Sequence, residues 1–311
     1  MRNLIFNALA FKDGFQTSTQ IENISNKIET YIKNSFVSLV SCKSKNKDCD
    51  VCLLTNIDLP IKYKNLFEQN NIIVQRIDFD EFNLPKEFTW SLAFFKLKAI
   101  KYVVENLNYD NYLMLDTDTF TVNSLNDLWL ECTHGVVLYD LDHKISHPHR
   151  MEIYNNLSKY GSDFNPINHY GGEFIAGNKE VLLRFTTSLY NEYIKMKNCI
   201  ELDKTLGDEF LISIVADEFK NELIRANRYI YRYWTGDFYL VSTNYMNNAV
   251  DIWHLPQEKE TGILWLYDYY IKHRKFPELL SCAKKFDFPN YKMPVKKLIK
   301  MKYRNLLRRL K

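Results

Sequence analysis

The chain has 311 residues of which 46% are hydrophobic, enough for a substantial core, so disorder is not the default and one large α/β domain or two modest ones are expected. Its formal charge of +3 is unevenly distributed: residues 292–311 carry nine Lys or Arg and no acid, leaving the preceding chain at −6. No stacking platform or recognised motif accompanies those basic residues, which argues against nucleic acid as a partner.

The apolar run over residues 4–11 is too short to cross a membrane and lacks a signal-peptide cleavage region. It reads as a first strand over 4–10, and the protein is expected in the cytoplasm. Residues 21–40 read as a crossover helix and the Lys- and Asp-rich residues 41–50 as a solvated loop. Further short strands are expected over 51–55 and 71–77. Six cysteines agree with reduced thiols. Cys49 and Cys52 have redox or metal spacing without a second pair nearby, so a structural role is preferred.

Over 91–106 the pattern becomes helical, with Leu92, Phe95, Ala99, Tyr102 and Val103 on related turns and Ser91 placed to cap the helix. Lys96 and Lys98 lie off that stripe, where either can approach a phosphate or simply stay solvated. The next run, Tyr112-Leu113-Met114-Leu115, is a buried strand by composition and delivers Asp116-Thr117-Asp118 at its carboxyl end. Paired carboxylates there suit a divalent cation gripped against phosphate oxygens.

Beyond it, a short helix over 125–130 and a strand over 134–139 are expected. The polar segment 140–168 contains His143, His147, His149 and Arg150 and reads as an insertion or lid offering a polar substrate surface. Gly171 and Gly172 permit close backbone approach, either to a sugar or within a tight sheet connection. Phe174 and Ile175 read as strand, Gly177-Asn178 as a turn, and 179–195 as helix. Residues 206–219 form an amphipathic helix headed by Gly207-Asp208-Glu209, whose acids either cap the helix or face a cleft. Residues 250–254 read as a late strand ending in His254, a third ligand suited to manganese if it is not an ordinary loop histidine.

The early α/β strands, the 91–106 helix, the Asp116-Thr117-Asp118 strand end, Tyr170-Gly171-Gly172-Glu173-Phe174-Ile175-Ala176-Gly177 and Gly207-Asp208-Glu209-Phe210 together resemble the nucleotide-sugar-dependent glycosyltransferases of the GT-A fold. The middle and last segments partially resemble the retaining blood-group-type galactosyl and N-acetylgalactosaminyltransferases. Gly207 departs from that pattern where histidine is usual, and Glu173 where a small residue is usual. The resemblance implies a Rossmann-related α/β fold with a mixed central sheet, with residues 1–265 as the catalytic domain. Residues 266–311 would form a helical basic tail, able to pack or to lie on an anionic membrane surface through 292–311.

It further implies a UDP-linked or similar nucleotide diphosphate sugar as donor and a glycan or glycolipid as acceptor, with surface polysaccharide synthesis as the setting. Asp116, Asp118 and His254 would hold Mn2+ or Mg2+, Asp116, Asp118, Lys96, Gly171 and Gly172 the donor, and Glu209 or Asp208 would carry the chemistry. Two alternatives stand beside this. Leu115-Asp116-Thr117-Asp118-Thr119 also resembles the nucleophile strand of haloacid-dehalogenase-like phosphatases. An inactive transferase-like scaffold that only binds carbohydrate would share the aromatic and histidine content.

Overall fold

Strands whose residues are apolar on both faces can only be buried from both sides, and this dictates the layering. The computed structural model describes residues 1–15, 27–159, 168–235 and 250–286, with Phe288, Ile299 and Tyr303. Among them a seven-stranded sheet runs in the order β3-β2-β1-β4-β7-β6-β8. Its strands are β1 (Asn3–Leu9), β2 (Asp50–Thr55), β3 (Ile73–Arg76), β4 (Asn111–Leu115), β6 (Val136–Asp140), β7 (Tyr170–Asn178) and β8 (Leu223–Arg225). β7 pairs antiparallel with both neighbours, β4 and β6, and the other pairings are parallel, giving the expected mixed sheet.

Helices α3 (Phe95–Asn106), α6 (Lys179–Asn198) and α7 (Asp208–Glu218) cover one face, packing Ile100, Phe185 and Leu211 against Tyr112, Met114 and Ile175. Helices α1 (Lys27–Lys45) and α2 (Ile61–Glu68), with the short α4 (Asn126–Glu131), cover the other, where Phe36, Phe67 and Leu128 meet Leu53, Leu113 and Leu115. Helix α5 (Pro148–Lys159) lies within the expected lid segment. A second sheet, ordered β5-β10-β9, joins β5 (Thr119–Thr121), β9 (Ile230–Arg232) and β10 (Ile252–His254).

Helix α8 (Gly262–His273) runs across residue 265 and sets Tyr267 and Tyr270 edge-on against Phe36 of α1; α9 (Leu279–Lys285) follows. The basic segment 292–311 lies outside the described residues, apart from Ile299 and Tyr303, which are exposed. No helix among the described residues is long and apolar enough to cross a membrane.

Local expectations fail where polar residues turn out to be buried or to continue a regular element. Residues 41–45 are not loop but the end of α1, with Ser41 and Cys42 fully buried. The hydroxyls of Ser38 and Ser41 serve β5: Ser38 Oγ shares a 2.7 Å hydrogen bond with Thr119 Oγ1, and Ser41 Oγ accepts Thr121 N–H at 3.0 Å. Lys43 and Lys45 suit a helix carboxyl end rather than a loop. Ser91 opens a 3-10 turn, Ser91–Phe94, and its buried hydroxyl caps nothing. Gly177-Asn178 is strand, not turn, and Asn178 Oδ1 caps α6 by accepting Val181 N–H at 2.9 Å.

Gly135 shows how tightly the far edge is closed. A Cβ there would stand 1.8 Å from the carbonyl oxygen of Glu222, which accepts Val136 N–H at 2.9 Å. Gly135→Ala is therefore expected to cost about 1–3 kcal/mol of stability. An unfolding midpoint unchanged in urea would refute that reading.

Candidate active site

Residues 116–118 form the turn where the chain leaves the central sheet at Leu115 and enters the small sheet at Thr119. Both walls pin it. Asn7 Nδ2 donates to Leu115 O at 2.7 Å, Asp116 N–H donates to Glu173 O at 3.1 Å, and Thr119 Oγ1 donates to Asp116 O at 3.0 Å. Strand register then supplies the rest of the site. β10 runs antiparallel to β5 with His254 opposite Thr119, and parallel to β9 with His254 opposite Arg232. Leu255 N–H closes the corner on Asp118 O at 2.9 Å.

This register makes Asp116, Asp118 and His254 converge: each offers one ligand atom, and all of these lie within 4.8 Å of one another. Asp118 and His254 are buried, with Asp118 Oδ2 at 3.3 Å from His254 Nε2 and ion-paired to Lys259. Burial works against the charged forms, but the Lys259 and His254 charges outweigh it and hold the Asp118 carboxyl well below its ordinary range. For His254 the same contest goes to Asp118 and Glu173, which raise its pKa to about 9.

Two further groups of charges flank this turn. On one side Lys96 Nζ reaches Asp116 Oδ1 at 2.8 Å and Gly172 O at 3.1 Å. It also lies 3.1 Å from Asp208 Oδ2, a buried oxygen with no aligned hydrogen-bond partner among the described residues. Burial raises the Asp208 pKa to about 6, reinforced by Glu209 and Asp116 and opposed by Lys96.

On the other side Arg232 binds two carboxylates. Its Nε and Nη2 donate to Glu173 Oε1 and Oε2, each at 2.6 Å, and Nη2 also reaches Glu209 Oε1 at 2.8 Å. Glu209 Oε2 meets His169 Nε2 at 2.9 Å, and His169 Nδ1 meets His143 Nδ1 at 2.9 Å. Burial is outweighed at Glu209 by Arg232 and His169, which keep it well below the ordinary carboxylate range. His143 stacks on His147 with ring centres 3.6 Å apart. Its pKa falls to about 3 through burial and the neighbouring imidazoles, so it is neutral at physiological pH.

Apart from the fully buried Glu173, these side chains line one cavity of about 1220 Å³ at the carboxyl ends of β1, β4 and β6. Such strand ends are where open α/β sheets bind ligands, and drug-sized sites occupy roughly 300–1,000 Å³. The lining includes Asp116, Asp118, Lys96, Asp208, Glu209 and His254, together with His143, His147 and His149 of the expected lid. Lys98 instead pairs with Asp80 and Glu81, at 2.8 and 3.1 Å.

Gly171 and Gly172 are not among the lining residues. The space a side chain would take at Gly172 holds the Asp208 carboxylate and the Lys96 ammonium, and at Gly171 it holds Glu173 and Arg232. A Cβ would approach Asp208 Oδ2 or Glu173 Oε2 to 2.0 Å. The close approach that the glycines permit is therefore filled by the protein's own charged side chains.

Lys259, Arg232 and the role of Glu173 were absent from the sequence reading. Glu173 did leave a signal, since a carboxylate beside Phe174-Ile175-Ala176 in a buried strand requires a cationic partner. A second Asp-x-Asp, Asp140-Leu141-Asp142 after the apolar Val136-Val137-Leu138-Tyr139, repeats the pattern at the end of β6. It is spoken for by Arg225, 3.0 Å from Asp140 and 3.4 Å from Asp142.

No family model and no curated protein matches the chain by sequence. Solved structures do match its shape. The galactosyltransferase LgtC, in complex with donor and acceptor sugar analogues, superposes with a TM-score of 0.57 at 14% identity, covering 89% of this chain and 98% of that one. An active-site mutant of LgtC gives 0.56 at 13% identity, covering 90% and 99%. The apo form of mouse xyloside xylosyltransferase 1 gives 0.52 at 10% identity, covering 82% and 97%. The fold is of the GT-A type. A haloacid-dehalogenase-like architecture is thereby set aside.

The donor set fits the divalent cation that a GT-A fold implies. Two carboxylates and one imidazole suit Mg2+ or Mn2+, and Asp118 Oδ2 already faces two positively charged groups that a cation would replace. Ligation at Nε2 requires His254 to give up the proton on that nitrogen.

Asp208 supplies a pH test free of metal. Its folded pKa of about 6 lies above the ordinary 3.8, so folding favours the protonated acid. That contribution is complete below pH 3.8 and disappears as pH rises through about 6. In chelator, Asp208→Asn should therefore gain on the parent by roughly 2–3 kcal/mol between pH 4 and pH 7. A stability difference that stays flat across this range contradicts the burial of an ionisable acid at that position.

Proposed function

We propose that the protein is a metal-assisted glycosyltransferase. It moves a hexose or N-acetylhexosamine from a nucleotide diphosphate sugar, UDP-linked by preference, to a hydroxyl of a glycan or glycolipid. The observation that carries this is the convergence of Asp116, Asp118 and His254 at the strand ends of a GT-A-type sheet, on the wall of a cavity large enough for donor and acceptor together.

A divalent cation bound by Asp116, Asp118 and His254 would supply compensation for the charge that grows on the departing diphosphate. The remaining work falls to the chain. Lys259 and Lys96, freed in part from Asp118 and Asp116, would provide mobile positive charge beside the phosphates. Lys96 also ties Asp116 to Asp208, so donor grip and reacting carboxylate share one cation.

Transfer forms the bond from the acceptor oxygen to the anomeric carbon and breaks the bond from that carbon to the diphosphate oxygen. The hydroxyl proton leaves to a base. Of the two acids at the head of α7, Glu209 is already held by Arg232 and His169. Asp208 Oδ2 meets the Lys96 ammonium but accepts no aligned hydrogen bond among the described residues, and the raised pKa of Asp208 suits proton exchange near neutrality. Asp208 is thus the carboxylate assigned to the reacting centre, as base toward the acceptor or as stabiliser of positive sugar character, and Glu209 holds Arg232 in place. His143, His147 and His149 form a polar, stackable wall suited to a sugar.

Incubation of the protein with intact nucleotide sugars, Mn2+ or Mg2+ and a mixed glycan library, followed by mass spectrometry, should reveal a mass gain of one sugar on an acceptor. Donor binding without transfer to any acceptor would favour the carbohydrate-binding alternative instead. Asp118→Asn is expected to lower turnover by about 100-fold or more. Asp208→Asn should depress kcat more than KM, whereas Glu209→Gln should affect both, through the displaced arginine.

A further inference from the structure

The carboxylate of Glu173 has no place in donor or acceptor binding: it is fully buried, is not among the residues that line the cavity, and contacts His254 and Arg232 only through its two oxygens. A buried charge in mid-strand is costly unless its geometry serves something. The contact it makes with His254 is specific. Glu173 Oε1 lies 3.0 Å from His254 Nδ1, while Nε2 of the same ring points at Asp118 Oδ2, 3.3 Å away.

We propose that Glu173 is the positioning residue of the cation site. It accepts the Nδ1 proton of His254, fixes the tautomer, and so presents the Nε2 lone pair to a divalent cation shared with Asp116 and Asp118. This rests on the cation reading above and deepens it. A ligating histidine ordinarily gives its other N–H to such a partner, and loss of that partner typically weakens metal binding about 10- to 100-fold.

The surrounding residues make Glu173 rigid enough for that task. Arg232 holds both oxygens in a planar fork, and strand register places Arg232 directly opposite His254. Gly171, two residues earlier on the same face of β7, leaves the space in which the carboxylate sits, since a Cβ there would come within 2.0 Å of Glu173 Oε2 and 3.0 Å of Arg232 Nη2. Position 171 thus needs glycine for the orientation of a residue that reaches the ion only through another.

The test is Mn2+ binding, measured by electron paramagnetic resonance, with nitrogen modulation of the bound ion reporting imidazole ligation independently of any turnover. The parent should bind Mn2+ with a nitrogen signature, and His254→Ala should remove that signature. Glu173→Leu should weaken binding roughly 10- to 100-fold and abolish or alter the nitrogen signal. Glu173→Gln, whose amide oxygen can still accept from Nδ1, should retain the signal with a smaller loss.

Gly171→Ala keeps every ionisable group but displaces the carboxylate, and should resemble the leucine variant. It decides the matter with the glutamine variant should Glu173→Leu fail to fold. Parent-like Mn2+ affinity and nitrogen signal in folded Gly171→Ala or Glu173→Leu would overturn the positioning role while leaving the cation site intact. A parent that binds no Mn2+ would overturn the cation reading itself, and this inference with it.

Discussion

The site depends on alternation of charge through a region from which water is largely removed. Asp208, Lys96 and Asp116 form one run; Lys259, Asp118, His254, Glu173, Arg232 and Glu209 form the other, which ends against the His169 imidazole. In a medium of low dielectric each carboxylate needs a cation within a few ångströms, and Lys96, His254 and Arg232 are each shared between two carboxylates. Removal of any one member strands its neighbours, so the runs behave as a unit rather than as separate pairs. Arg232 is suited to its place because a planar guanidinium can grip one carboxylate with two parallel hydrogen bonds and still reach a second.

Placing so many charges inside requires a frame that does not relax, and the two sheets provide it from different directions. The central sheet contributes Asp116 from the end of β4 and Glu173 from β7, tied through the Asp116 amide to the Glu173 carbonyl. The small sheet contributes His254 and Arg232 from neighbouring strands, and Asp118 directly precedes the third at Thr119, which lies opposite His254. Helix α1 braces the joint between the sheets with serine hydroxyls in place of apolar side chains. A buried hydroxyl that is hydrogen-bonded costs little, and here it also fixes the direction in which the acidic turn leaves the sheet.

Much of the fold was legible. The strands at 4–10, 51–55, 71–77 and 112–115, the helix over 91–106 and the helix after 206 all appear within a few residues of their expected positions, because apolar periodicity reports burial directly. The failures share one cause. Residues 41–45 and Ser91 were read from local polarity, and their environment is set by elements distant in sequence. Within the site, Asp116 and Asp118 stood out as acids directly after a buried strand, and His254 as the end of a late one. Lys259, in the loop after β10, had no periodic pattern to mark it, and Arg232 lies in a strand of three residues.

The sequence by itself determined the element types, the mixed α/β character and the presence of an acidic turn after β4, since each follows from the spacing of apolar residues along a few turns or strands. Tertiary structure decided which charges meet. Strand register brought His254 against Asp118 and Arg232 against Glu173, across separations of 136 and 59 residues. It also decided that Gly171 and Gly172 make room for the protein's own acids and lysine. Partner choice among buried charges is fixed by distance in space at low dielectric, a quantity to which one-dimensional spacing is blind.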